Sequence, residues 1–211
     1  MVSLLVGCST SPHHVDESVG RFRIVTLDDS PGTNRLFTVF KKLLEKDKAL
    51  EAYDFRKIFL LQENGRPHSP PKESYIVLTS LSRTTNYTNN PSELLATIIH
   101  EELHEFVDQN QKKRDLALEK IKRIWPEDKI PTDRSQVADD LKSTYEHIII
   151  CYLELYGLKK TIGDEGAEKV IGKRKMYPWI YQTVLKNQSV LNDILLETDL
   201  LYPKMASRLP H

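Results

Sequence analysis

No apolar run in the 211-residue sequence approaches the ~20 residues that cross a bilayer, so no transmembrane helix is expected. An excess of one charge sign is also missing: 30 lysines and arginines meet 30 aspartates and glutamates. No basic stripe with interleaved aromatics recurs, which removes the footprint of a nucleic-acid binder. The run Lys112-Lys113-Arg114, continued by Lys120, Lys122 and Arg123, alternates with Leu116, Leu118, Ile121 and Ile124 and reads as the solvated side of a helix. None of the 8 glycines builds a phosphate-cradling loop, and there is neither a Gly-x-Ser-x-Gly elbow nor a Cys-x-x-Cys pair. The two cysteines, Cys8 and Cys151, make no disulfide framework.

Each cysteine therefore has its own explanation. Cys151 sits in an apolar helical stretch, where a thiol packs as a small hydrophobe. Leu5-Val6-Gly7-Cys8, followed by Ser9-Thr10-Ser11-Pro12, resembles the lipobox of bacterial lipoproteins, which implies Cys8 as a lipidation site and a place at the surface of the cell envelope. Only seven residues precede Cys8 and none is Lys or Arg, so a full leader would begin upstream of Met1. The alternative is the short apolar N-terminus of a cytoplasmic protein.

The chain divides into residues 1–20, a lipobox-like start and a polar tether, and residues 21–211, one domain. In the tether, His13-His14 reads as solvated. Arg21 to Leu27 alternates and is β-branched, predicting a strand that ends at Asp28-Asp29-Ser30-Pro31-Gly32. Leu36, Val39, Phe40, Leu43 and Leu44 recur at helical steps and predict a helix from Asn34 to Tyr53. Strands are expected over Phe55–Gln62 and Ser74–Leu81, separated by turn residues and prolines. After Asn110, helices are expected over about 112–125, 137–160 and 178–198, with Gly163, Gly166 and Gly172 in the break before the last. The fold class is α+β, with a small N-terminal sheet packed against a mainly helical core.

Between sheet and helices stands His100-Glu101-Glu102-Leu103-His104, inside a helix over about 91–109. Asn90 fits its N-cap, Pro91 its first position, and Glu93 the third place of a capping box. Leu94, Leu95, Ile98, Ile99 and Leu103 bury it. Residues four apart lie about 40° apart around a helix, so both imidazoles can reach one ion. Glu101 then stands beside the ion, where a carboxylate serves as a proton acceptor rather than a ligand. Asp108, one turn beyond His104, reads as a surface carboxylate.

A catalytic zinc usually takes a third protein ligand. The apolar helix from Ser143 to Gly157 is its best source, because His147 and Glu154 stand on one face, about 20° apart around the axis. Two turns separate them by about 10.5 Å, so one is the ligand and the other supports. The sequence leaves that choice open. Tyr145, Tyr152, Tyr156 and Tyr181 are candidate donors to a developing oxyanion, with core packing as the default for each.

Together the pentad, the acidic helix and Trp179-Ile180-Tyr181 resemble zincin metallopeptidases of the gluzincin kind, and small bacterial proteins that pair the pentad with a His-x6-Glu helix. The resemblance implies Zn2+, a water nucleophile and hydrolysis of amide bonds in a peptide or protein substrate, with His100 and His104 as ligands and Glu101 as general base. No Glu-x-x-x-Asp follows, since Ile150 stands four after Glu146 and Leu158 four after Glu154. No metzincin tail follows His104 either. The competing expectation is a non-catalytic envelope lipoprotein whose metal site is structural or degenerate.

Overall fold

Phe22, Ile24 and Thr26 turn inward and Arg23 outward, as alternation along a half-buried strand requires. In the computed structural model, which describes residues 14–46, 58–70, 73, 75–81 and 86–201, this strand is β2 (Phe22–Thr26). It pairs antiparallel with β1 (Asp16–Val19), where Arg23 holds Asp16 across the two strands at 2.6 and 2.9 Å. Residues 16–19 were expected as part of the tether. Their polar sequence, Asp-Glu-Ser-Val, hides a strand whose side chains stay largely in solvent and whose stability comes from the β2 ladder. Cys8 and His13 lie outside the described residues.

From β2 the chain crosses through α1 (Pro31–Lys46) to β3 (Ile58–Asn64), which lies parallel to β2. The helix begins three residues before Asn34, because Ser30 caps it and Pro31 suits its first turn. Residues 47–57, the expected end of that helix and start of the next strand, lie outside the description. Leu36 and Phe40 are fully buried, and Phe40 meets Phe59 edge-to-face at 4.7 Å. β4 (Tyr75–Leu81) is parallel to β3 and completes a sheet in sequential order.

The β3–β4 connection carries no helix among its described residues. It returns along the outer side of β4, where His68 exchanges both backbone hydrogen bonds with Val77, at 3.1 and 2.9 Å. That pairing covers the edge of β4 and fixes the path of Arg66-Pro67-His68-Ser69.

The helical half follows. α2 (Pro91–Gln109) matches its expected limits. It is buried nearly all round, between α1 and β4 on one side and α4 on the other. The expected capping box does not form: the Asn90 side chain makes no cap bond, and Glu93 turns instead to Arg174, 3.3 Å away. α3 (Gln111–Ile124) exposes its basic side as expected, and Asp108 is exposed beside Arg114 at 3.4 Å.

α4 (Leu141–Ile162) is the central helix, capped by the Asp140 side chain on the Ser143 amide at 2.8 Å. The glycine-rich break contains α5 (Asp164–Ile171), a helix not expected there. The stretch over 178–198 is two helices, α6 (Pro178–Lys186) and α7 (Gln188–Glu197), divided at Asn187. The fold is α+β as expected, and one apolar core runs from Ile24 and Phe59 through Ile99 to Ile148 and Leu195. No described helix is long and apolar enough to cross a membrane.

Candidate metal centre

α2 and α4 pack together so that three imidazoles meet. His100 and His104 share a face of α2, their ring centres 5.1 Å apart, and His147 of α4 stands 5.6 Å from the first and 5.2 Å from the second. One nitrogen from each lies within 4.8 Å of one from the others, so the group can hold a metal ion. It opens on a cavity of about 550 Å³ that Glu101 also lines. A cavity of that size takes a small ligand or a short stretch of peptide.

Hydrogen bonds on the far side of two rings set their orientation. His147 donates from Nδ1 to the Ser143 carbonyl, at 2.7 Å, within its own helix. His100 donates from Nδ1 to Glu154 Oε2, at 2.9 Å. Each ring therefore keeps its Nε2 lone pair for another partner. A carboxylate behind a histidine in this way fixes its tautomer and strengthens it as a ligand.

Glu154 is fully buried, and three donors hold it there. His100 and the Tyr181 hydroxyl, at 2.8 Å, share Oε2, while Arg174 Nη2 meets Oε1 at 2.8 Å. Burial pushes its pKa up, but the Arg174 charge and His100 outweigh that and hold the carboxyl below its usual range. Arg174 is itself almost covered. Its Nη1 donates to Thr97 at 3.1 Å and lies 3.3 Å from Glu93, so one guanidinium answers two carboxylates. Burial opposes the charge on Arg174, and Glu154 above all reinforces it. Burial raises the pKa of Glu93.

The two histidines that bear these bonds are driven apart. Burial lowers His100, yet contact with Cys151 and the hydrogen bond and charge of Glu154 carry it well above its ordinary value. Burial, then the neighbouring His100 charge, lowers His147 to about 4.

A second group, His100, Cys151 and Glu154, also has the spacing for an ion. Its Glu154 oxygens are already taken by Arg174, Tyr181 and His100, and burial pushes the Cys151 thiol up, away from the thiolate that binds metals. Cys151 is fully buried and packs beneath His100.

Of the four tyrosines singled out in the sequence, only Tyr181 belongs here. Tyr145 donates to the Trp125 carbonyl at 2.8 Å, Tyr152 to Asn192 at 3.1 Å, and Tyr156 stacks loosely on Tyr152. Sequence reasoning missed Arg174 and Tyr177. The Tyr177 ring lies 4.8 Å from that of His147, and its hydroxyl is raised by burial to about 12. Its backbone is left-handed, φ 54 and ψ 48, an uncommon conformation for a residue with a side chain and one that clusters at functional sites. Pro178, opening α6 directly after it, was the one available signal of a forced turn.

Comparison with protein families, characterised proteins and solved structures gives no significant match for the chain.

Proposed function

We propose that the chain is a zinc-dependent hydrolase of the zincin kind, cleaving amide bonds in peptides. His100, His104 and His147 hold the metal, Glu101 is the general base, and Glu154 positions His100 from behind. The observation that carries this reading is the meeting of three imidazoles at a cavity lined by Glu101, with a buried, triply bonded carboxylate orienting one of them. Three nitrogen ligands with room for a fourth partner suit catalytic zinc. Bound there, zinc supplies Lewis-acid polarisation of a carbonyl and makes water acidic near neutral pH.

The protein's own groups do the rest. Glu101 adjoins His100 and faces the cavity, so its carboxylate accepts the water proton and returns it to the leaving amine. His147 is held by its bond to Ser143, and His100 by Glu154, so neither ring reorients during the reaction. Tyr177, against His147 in the cavity wall, is the phenol best placed to donate to a developing oxyanion. Tyr181 is committed to Glu154. Lipidation at Cys8 would put this activity at the surface of a bacterial envelope, and loss of membrane association in Cys8→Ser tests that part.

The central test is Glu101→Gln. Turnover of a quenched fluorescent peptide pool should disappear while one zinc per chain is retained, measured by elemental analysis. Wild-type turnover in that variant would sink the mechanism, and a purified chain that cannot be loaded with zinc would sink the metal reading.

A further inference from the structure

The metal cavity has a charged mouth that the hydrolytic groups leave unused. Arg66 and Lys175 both line it, come from opposite parts of the chain, and keep exposed side chains. Neither makes an ion pair with another described residue. This sets them apart from Arg174, the third cation of the lining, whose charge Glu154 and Glu93 absorb. Two cations without an ion-pair partner among the described residues, both lining the cavity, form a place for an anion.

Both stand next to anchored residues. Arg66 stands in the β3–β4 connection, where His68 pairs with Val77 and its Nδ1 donates to the Arg66 carbonyl at 2.9 Å. Lys175 directly follows Arg174, which is anchored to Glu154 and Thr97. The charge of Arg66 reaches the Tyr177 hydroxyl, which puts it in electrostatic range of the cluster. The exposed carboxylate of the lining, Asp139, precedes α4 on the His147 side, where its charge acts on His147 and Tyr177. The cavity is thus acidic on the α4 side and basic on the side of the sheet and α6.

We propose that Arg66 and Lys175 form a carboxylate-binding subsite, so that the substrate is a peptide carrying a carboxylate close to the bond held at the histidine cluster. The substrate assignment rests on the hydrolase reading; the subsite does not need turnover to be seen. An arginine fork and a lysine ammonium together match a carboxylate, whether from an Asp or Glu side chain or from the peptide's own C-terminus.

The test is fluorescence anisotropy of short labelled peptides binding to zinc-loaded, full-length Glu101→Gln protein, which does not consume them. Four peptides differ only in Glu or Gln at one position and in a free or amidated C-terminus, so the two sources of carboxylate are read separately. A carboxylate should tighten binding by about three- to tenfold, an effect of the size expected of partly exposed charge pairs and weakened by salt. In a background that also carries Arg66→Glu and Lys175→Glu, the preference should vanish or invert, with an unchanged thermal melt showing that the fold is kept.

No preference for acidic peptides overturns the proposal. So does a preference that survives charge reversal, since the carboxylate is then binding the metal directly. Inorganic phosphate that binds more tightly than the peptides, with the same dependence on Arg66 and Lys175, overturns it in favour of a phosphate site. Failure of the wild type to cleave any peptide, with the charge-dependent preference intact, rejects the hydrolase reading alone.

Discussion

Glu154 is the residue on which the proposed metal centre depends without touching the ion. Its replacement by Gln keeps the shape but removes the charge that holds the His100 Nδ1 proton and answers Arg174. Zinc affinity of Glu154→Gln should therefore fall by roughly 10–100-fold, the usual cost of losing a carboxylate behind a ligating histidine. Competition against a chromophoric chelator measures it, and unchanged affinity would mean that His100 is oriented by something else. Arg174→Ala should act on stability, because it leaves Glu154 fully buried without its cation. A loss of about 3–5 kcal/mol in urea denaturation is expected. The pentad was legible in the sequence because i, i+4 geometry is local. The choice between His147 and Glu154 was not, since it depends on how α4 slides along α2. That packing brings His147 to the other two histidines and leaves Glu154 behind His100. Arg174 was hidden for the same reason: a buried glutamate needs a cation, but nothing local says which of 30 it will be.

Among the elements, the junction of β2, α1 and β3 controls how the sheet sits beside the site. Asp28 receives the Ser30 amide at 3.1 Å, the Thr33 hydroxyl at 2.5 Å and, across the sheet, the Glu63 amide at 3.0 Å. Burial raises its pKa, but these donors outweigh that and hold the folded carboxyl below its ordinary value. A depressed folded pKa contributes stability that is complete above the unfolded value and lost as pH falls through the folded one. Asp28→Asn should therefore flatten the decline of stability below about pH 4, seen as urea midpoints converging with wild type in acid. Gly32 is the second device. A Cβ there would lie 2.5 Å from Glu63 Oε1 and 2.6 Å from Ser80 Oγ, so Gly32→Ala should cost about 1–3 kcal/mol by pushing α1 off the sheet. An unchanged urea midpoint would show that Glu63 and Ser80 move aside freely. The elements that could be read in advance were those with strong periodicity, α2 above all. β1 escaped because its residues are polar, and α5 because Gly163 and Gly166 look like a break when in fact Gly163, at φ 77, is only the joint between α4 and α5.

At the scale of the whole molecule, the core decides what a metal can do for stability. Apolar side chains from the sheet and the helices form one continuous interior, and the buried charges at the site are answered by protein groups: Glu154 by His100, Tyr181 and Arg174, and Arg174 by Thr97 and Glu93. Such a fold does not need an ion to close, unlike a small domain whose metal replaces a missing core. Chelated protein should therefore keep its helical circular dichroism and a cooperative melt while losing peptide turnover. On the zinc reading the ion binds the native state, so adding it back at about a hundred times its dissociation constant should contribute about 2.7 kcal/mol. For a chain of this size that raises Tm by roughly 5–10 °C. Collapse of the helical signal on chelation would instead mark the ion as structural, and a Tm that ignores zinc would mean that the three histidines do not bind it.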